Sequence, residues 1–249
     1  MQAHKVLEGL QKIRQSRRFD PSAIDLVEEK LVESQKFEFD FGDFPVLTEQ
    51  EMSDQIRDLN LPYPLCYFSI PTVGGVLARD HEDCVLVQPF IKHGEQVGML
   101  PQSMPLLLDK RDGSVCCKSE DPRVQSEWQN PKDDGIKVVV GLIALVVRGL
   151  AVLNCTNVHV VDNPPPESLN KKRLRSGKVP LFSYKTLHIK AAVRSVFGVG
   201  SSCERAGPRL HMRRGHIRRL SSGVSTWVQS CMVGNSKQGM VFKDYKVSA

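Results

Sequence analysis

The longest apolar run of the sequence extends from Val138 to Val147 and contains no charged side chain. Lys137 precedes the run and Arg148 follows it. Since a membrane-spanning helix needs about 20 apolar residues, a run of this length is more typical of a helix inside a protein core. A helix that is apolar on every side must be enclosed by other elements. We therefore predict a core helix over residues 136–154, with the rest of the fold packed around it.

The composition of the 249-residue chain is that of a folded, soluble protein. Hydrophobic residues make up 41% and charged residues 25%, which argues against disordered, collagen-like and coiled-coil proteins. Residues 1–18 lack the apolar core of a signal peptide. The seven cysteines form no Cys-x-x-Cys pair, so we expect reduced thiols in a cytoplasmic protein. We predict no cofactor and no membrane partner.

Helices are predicted at the N-terminus, over residues 1–36. Two apolar stripes follow helical spacing there, and Asp20-Pro21 begins the second helix because aspartate is a favoured N-cap and proline a favoured first residue. A further short helix is predicted after Thr48, since Glu51 lies three residues later and completes a capping box.

A central antiparallel sheet is predicted over residues 62–118, where apolar stretches alternate with turn residues. Asp112-Gly113 supplies the turn of a hairpin within this region. We interpret Gly74-Gly75 as a turn, since no helix follows it to complete a phosphate-binding loop.

The C-terminal part of the chain is predicted to be a basic β region. Residues 171–178 lack apolar periodicity and are expected to form an exposed basic loop. Residues 183–190 alternate apolar with basic side chains, which predicts a strand with one basic face. Residues 225–229 and 239–243 are predicted to pair as the final strands, with 234–238 as their turn.

Together these elements predict an α+β fold with N-terminal helices, a central antiparallel sheet, one buried apolar helix and a basic C-terminal β region. The prolines of 162–166 break regular structure and separate an acidic region over 1–161 from a basic region over 167–249, unless the two form one continuous domain. Trp227 and Phe242 are expected to be core or cross-strand partners. Aromatic residues that stack on bases would instead lie exposed beside the basic face.

The basic charge is concentrated in one segment, from Ser168 to Leu220. This segment contains fourteen basic residues and one acidic residue, a net charge of +13, whereas the remainder has 20 basic and 27 acidic residues. Like charges at this density repel each other unless an anion lies near them. RNA or DNA is one such anion. The acidic segment 37–61 of the same chain is a second, and an acidic protein partner is a third.

Residues 209–220 form the densest basic motif, Arg-Leu-His-Met-Arg-Arg-Gly-His-Ile-Arg-Arg-Leu. Guanidinium groups suit bidentate contacts with phosphates or carboxylates. Three hypotheses follow. The cluster binds an RNA backbone, or its arginines pair with internal carboxylates such as those of 37–61, or His211 and His216 act as general base and acid in RNA cleavage.

The preferred hypothesis is RNA binding without catalysis, through two basic clusters. The candidate contacts are Lys171, Lys172, Arg173, Arg175, Arg209, Arg213, Arg214, His216, Arg218 and Arg219. A zinc set of Cys203, His211, His216 and Cys231 matches no standard ligand spacing, so no metal is predicted.

The motif Arg213-Arg214-Gly215-His216, followed by a strand with Trp227-Val228, resembles the C-terminal signature of a family of phage and plasmid proteins. Two further segments agree with this family: Leu61-Pro62-Tyr63-Pro64 before an aromatic strand, and Leu153-Asn154 at the end of the apolar helix. The family includes a type V-A anti-CRISPR protein that acts on nuclease biogenesis.

The resemblance implies an accessory protein of a mobile element, in the cytoplasm of a host cell. It implies contact with RNA or a translating ribosome, and with a nascent or acidic peptide, that lowers the expression of a target. An exposed edge of the 65–118 sheet would accept such a peptide by strand addition. Two alternatives stay open: a ribonuclease that uses His211 and His216, and a non-catalytic protein-binding inhibitor with structural arginines.

Overall fold

The chain forms two compact units, Met1–Asn154 with His159–His188, and Cys155–Val158 with Ile189–Ala249. The structure is a computed structural model. It describes residues 1–15, 20–39, 47–71, 73–94, 96–99, 106–117, 134–189, 209–213, 216–228, 231–233 and 235–240. Residues 167–188, which the sequence groups with the basic C-terminal region, belong to the first unit.

Five helices lie in the described part of the first unit. They are α1 (Ala3–Gln15), α2 (Pro21–Glu33), α3 (Glu49–Arg57), α4 (Asp134–Leu153) and α5 (Glu167–Arg175). The predicted caps are confirmed. The Asp20 carboxylate accepts a hydrogen bond from the Ser22 backbone N–H at the start of α2. Thr48 and Glu51 form a reciprocal capping box at the start of α3, with N–H···O distances of 2.9 and 3.2 Å.

The described strands of the first unit form one nine-stranded sheet. The strands are β1 (Gln35–Glu38), β2 (Leu65–Ile70), β3 (Gly74–His81), β4 (Cys84–His93), β5 (Gln96–Met99), β6 (Leu106–Asp109), β7 (Val115–Cys117), β8 (Val158–Asn163) and β9 (Tyr184–Ile189). Their order is β7-β6-β4-β3-β2-β1-β9-β8, and β5 also pairs with β4. β1 runs parallel to β2 and β9, while β2 to β7 pair antiparallel. The α+β prediction with a mostly antiparallel central sheet is confirmed.

Helices bury both faces of this sheet. Because successive side chains of a strand point to opposite faces, β2 contributes Phe68 to one core and Tyr67 to the other. On one face, Leu142 and Val146 of α4 pack with Phe68. On the other face, Leu10 of α1 and residues of α2 pack with Tyr67.

The predicted core helix is therefore present as α4. Its residues Ile136–Leu153 are long and apolar enough to cross a membrane, by length and composition alone. Val139, Leu142, Ile143 and Val147 are at most 1% exposed, because they pack in the core on the sheet. Such burial is typical of the core helix of a soluble protein.

The prediction that Gly74-Gly75 forms a turn is wrong, because both residues lie in strand β3. Neither position has space for a side chain. A Cβ atom on Gly75 would collide with the Tyr67 hydroxyl, and one on Gly74 would collide with the Phe90 carbonyl oxygen. These glycines therefore permit close approach within the sheet.

The prediction that residues 171–178 form a loop is also wrong, because helix α5 extends through Arg175. None of the nine residues of this helix, all described by the structure, is buried. A helix without a buried face needs no apolar stripe, which is why its sequence shows no apolar periodicity. Its charges suit a helix, since Glu167 lies in the first turn and Lys172, Arg173 and Arg175 in the last.

The described strands of the second unit form two small sheets. They are β10 (Arg209–Arg213), β11 (His216–Arg219), β12 (Ser225–Val228), β13 (Cys231–Val233) and β14 (Asn235–Met240). One sheet has the order β13-β10-β14, and β11 pairs with β12 in the other.

The predicted pairing of 225–229 with 239–243 is not found among the described residues. β12 pairs antiparallel with β11, which places Trp227 opposite Ile217. Most of the predicted turn 234–238 lies in β14, and residues 241–243 lie outside the described residues, as does Phe242. The expectation that Trp227 is buried is confirmed, since it is 8% exposed.

Candidate nucleic-acid interface

The clearest exposed basic surface in the described chain is on helix α5. Pro166 is the N-cap residue of the helix. Proline has no backbone N–H and its ring clashes with a preceding helical turn, so the helix does not extend to the residues before Pro166. At its other end the Ser176 backbone N–H bonds to the Lys172 and Arg173 carbonyls, at 3.2 and 3.0 Å. Gly177 then adopts a positive φ of 64°. This left-handed residue ends the helix and turns the chain back along it.

Polar contacts, rather than apolar burial, attach α5 to the first unit. The Asn170 side-chain amide donates to the Leu181 carbonyl at 2.9 Å, and its oxygen accepts from the Leu181 N–H at 2.7 Å. The Arg173 Nε donates to the Val179 carbonyl at 2.8 Å. The same guanidinium forms a 2.9 Å ion pair with Glu8 of α1. The face with Asn170 and Arg173 is therefore the docked face of α5.

The opposite face of α5 presents only cations and one serine. At about 100° per residue, Lys171, Lys172 and Arg175 lie within an arc of about 100° centred opposite the docked face. All three side chains belong to exposed residues. We call Lys171, Lys172 and Arg175 the outward face of α5. Lys178, after the turn, is also exposed.

Two exposed leucines border the docked face on either side. Leu169 is 41% exposed and Leu174 is 60% exposed. They lie roughly 140° apart around the helix axis, so they do not form one apolar stripe. A membrane-surface helix needs a continuous apolar face that enters the lipid boundary. The geometry of α5 suits an anion that meets the outward face.

The outward face keeps most of its positive charge. Lys171 lies 3.8 Å from Glu167, but both side chains are largely exposed, at 72% and 91%. Exposed pairs of this i,i+4 type contribute only about 0.3–0.5 kcal/mol. Arg173, by contrast, forms its 2.9 Å ion pair with the half-buried carboxylate of Glu8. Arg173, predicted as an RNA contact, is therefore placed as an anchor of α5.

Three ion pairs join the basic segment to carboxylates outside the acidic segment 37–61. Arg173 pairs with Glu8, Lys171 with Glu167 and Lys185 with Asp162. The hydrogen bond from Lys185 to Asp162, at 2.6 Å, raises the pKa of that lysine. Residues 184–189 form the predicted strand as β9, and its Lys185 is occupied by this internal pair.

The Arg-Arg-Gly-His motif is divided between two strands of the second unit. Arg209, His211 and Arg213 belong to β10, where only the backbone is described, and Arg214 lies outside the described residues. His216 begins β11 and is half-buried, while Arg218 and Arg219 of the same strand are exposed. Because β11 is extended, His216 and Arg218 share one face, as predicted.

The ribonuclease hypothesis requires His211 and His216 to face one phosphate. The two residues lie in strands of different sheets. Their pairing partners also differ, since His211 lies opposite Val233 and His216 opposite Val228. The acid–base pair stays a prediction.

Metal ligands show no clustering in the described residues, where no group of three or more His, Cys, Asp or Glu side chains could hold an ion. Of the four residues considered as zinc ligands in the sequence, Cys203 and the side chains of His211 and Cys231 lie outside the described part of the chain. The peptide groove also stays a prediction. At that end of the sheet the terminal strand is β7, and its residues are half-buried.

Comparison of the chain with protein-family models, with curated proteins and with solved structures finds no match. The sequence pattern did not indicate the roles of Asn170 and Glu8, which orient α5. One signal was available: Asn170 and Arg173 are three residues apart, which puts two strong hydrogen-bonding side chains on one face of a helix.

Proposed function

We propose that the protein binds RNA without cleaving it, and that the outward face of α5 is a phosphate-binding surface. The observation that supports this is the position of Lys171, Lys172 and Arg175 opposite the docked face. Ammonium and guanidinium groups are the usual contacts to nucleic-acid phosphates. The bonds of Asn170 and Arg173 fix the helix, so that these three residues face the same side.

The resemblance noted in the sequence supports the choice of RNA over DNA and the biological setting. We propose an anti-CRISPR-like accessory protein of a phage or plasmid that engages RNA, or the RNA surface of a translating ribosome, in the host cytoplasm. Contact with a nascent peptide belongs to the same proposal. The result of such binding would be lower expression of a target.

The size of the outward face sets the expected salt dependence. Three phosphate contacts on a duplex predict a slope of about −2.7 for log K against log salt. Between 50 and 200 mM salt the affinity then falls about fortyfold. An acidic protein partner would not release condensed counterions in this way.

Fluorescence anisotropy with a labelled RNA tests the proposal. The test variant replaces Lys171, Lys172 and Arg175 with Gln. The control variant makes the same change of charge at Arg79, Lys92 and Arg111, which are exposed elsewhere in the first unit. We expect the test variant to lose more than about tenfold in affinity and the control to stay close to the original protein.

Equal affinity of the test and control variants would contradict the proposal. Circular dichroism distinguishes this result from a folding defect, since all six side chains are exposed and both variants are expected to keep the original melting temperature. A protein that binds no RNA in low salt, although folded, would also contradict it.

A further inference from the structure

The backbone of α5, which carries the outward face, is fixed to the first unit at several points. Asn170 is held by two hydrogen bonds to the Leu181 backbone. Arg173 is held at both Val179 and Glu8. The C-terminal turn is closed by hydrogen bonds from Ser176 and Lys178. The Cα positions of Lys171, Lys172 and Arg175 are therefore fixed by these contacts, while their side chains stay exposed.

The spacing of these three residues suits neighbouring phosphates. Lys171 and Arg175 are separated by one helical turn, so their Cα atoms lie about 6 Å apart along the helix axis. Lys172 lies beside them on the same arc. The phosphates of a duplex recur at short regular intervals, about 3.4 Å per strand along the axis in DNA. Three cations on one helix face can therefore contact phosphates of one duplex backbone.

The outward face carries two lysines and one arginine, and α5 has no aromatic side chain on which bases could stack. Proteins that prefer single strands combine a basic groove with aromatic side chains on which bases stack. The described aromatic side chains in the same basic segment are occupied inside the protein. Tyr184 is 7% exposed, and the ring of Phe182 lies under Lys36 Nζ at 4.3 Å.

We infer that the outward face of α5 takes the backbone of base-paired RNA, independently of its sequence, in preference to a single strand. This inference rests on the proposed function and names its substrate class. A duplex is already ordered, whereas a flexible single strand must lose conformational freedom on binding without compensation from stacking on aromatic side chains. Regular duplex backbone is recognised by shape and phosphate contacts.

The difference in affinity follows from the charge density of the two forms. The salt slope is about −0.9 per phosphate contact for a duplex and about −0.7 for a single strand. With three contacts, and with equal affinity of the two forms at 1 M salt, these slopes favour the duplex about fourfold in 0.1 M salt. A membrane surface is disfavoured because Leu169 and Leu174 lie on opposite borders of the docked face.

A competition experiment tests the inference with the full chain. A labelled short RNA duplex is displaced by the unlabelled duplex, by either of its separated strands, or by a duplex of the same length and different sequence. We expect the two duplexes to compete equally and each single strand to compete about fourfold less well. The Lys171, Lys172 and Arg175 variant should lose this preference, and the Arg79, Lys92 and Arg111 variant should keep it.

Three results would overturn the inference. A single strand that competes as well as the duplex would remove the substrate class while leaving RNA binding intact. A duplex of different sequence that fails to compete would remove the sequence independence. Displacement of the RNA by vesicles with anionic lipid, with co-sedimentation of the protein, would assign the face to a membrane surface. Failure of the proposed function is a separate outcome, in which neither RNA form binds.

Discussion

The two faces of the nine-stranded sheet are buried by different chemistry. The cluster between α4 and the sheet consists of apolar side chains such as Phe37, Phe68 and Leu142. The face under α1 and α2 encloses two groups whose pKa is lowered by burial, since Lys36 is 5% exposed and His4 is 4% exposed, whereas a buried charged residue of α4 is Arg148, at 7%. The stability that the α4 face contributes therefore depends on shape complementarity and buried apolar area. The stability that the α1/α2 face contributes also depends on pH and on individual hydrogen bonds, and Arg173 of α5 bonds to Glu8 of α1.

The largest expected effect lies on the α4 face. Leu142 is fully buried, so Leu142→Ala removes apolar contacts and leaves a cavity. We expect a loss of about 2–5 kcal/mol in the free energy of unfolding, independent of pH between 6 and 10. The control is Val140→Ala on the exposed side of the same helix, with an expected change within about 0.5 kcal/mol. Urea denaturation at several pH values measures both.

Lys36 tests the polar face. Its ammonium donates to the Val32 and Ser34 carbonyls at 3.0 and 2.7 Å, but burial lowers its pKa to about 8 from an ordinary 10.5. The folded protein therefore binds the proton less well than the unfolded chain, and stability rises as pH increases from about 8 to 10.5. The rise amounts to at most about 3 kcal/mol.

Lys36→Met removes the titrating group, so we expect this variant to lack the rise in stability above pH 8. Urea denaturation between pH 7 and 11 measures the difference, with Lys92→Met, an exposed lysine, as the control. An identical pH dependence in the original protein and Lys36→Met would show that Lys36 is not buried as described.

Arg173 tests how α5 is attached. Arg173→Ala removes the bonds to Val179 and Glu8, and we expect the helix to open locally at a cost of about 1–3 kcal/mol. Hydrogen exchange measured by mass spectrometry should show faster exchange over residues 167–181 while α4 stays protected. RNA affinity should also fall, since the outward face loses its fixed position.

Arg175→Ala is the matched control for this experiment, because it removes an exposed guanidinium from the same turn. It should leave the exchange of α5 nearly unchanged while it weakens RNA binding directly. Unchanged exchange in Arg173→Ala would contradict the anchoring role.

The smallest expected effect comes from His4. Burial, and then the nearby Arg173, lower the pKa of this histidine below its usual 6.5. Protonation is therefore disfavoured in the fold, and stability present at neutral pH is lost as the pH falls below 6.5. His4→Leu should remove part of this acid sensitivity, as measured by thermal melts between pH 4 and 7. A variant as acid-sensitive as the original protein would assign the loss to other groups.

The predictions that the structure confirms depend on local signals in the sequence. Helix α4 is evident from ten successive apolar or glycine residues, and α3 from the capping box of Thr48 and Glu51. The Asp112-Gly113 turn is confirmed between β6 and β7, where Gly113 has a positive φ. Each of these features depends on residues adjacent in the chain.

What the sequence did not reveal depends on distant contacts. Position 75 in strand β3 is a glycine because the hydroxyl of Tyr67 occupies the space that a side chain would need. α5 has no apolar stripe because Asn170 and Arg173 attach it through hydrogen bonds. The outward face was predicted as part of a basic cluster, but its arrangement required the helix that the sequence pattern did not indicate.

Lysine footprinting with an acetylating reagent, in the presence and absence of a saturating RNA duplex, tests most directly whether the outward face of α5 binds RNA. Mass spectrometry then reports the acetylation of each lysine. We expect RNA to protect Lys171 and Lys172, while Lys92 and Lys110, elsewhere in the first unit, react as before. Equal acetylation of Lys171 and Lys172 with and without bound RNA would contradict RNA binding by this face.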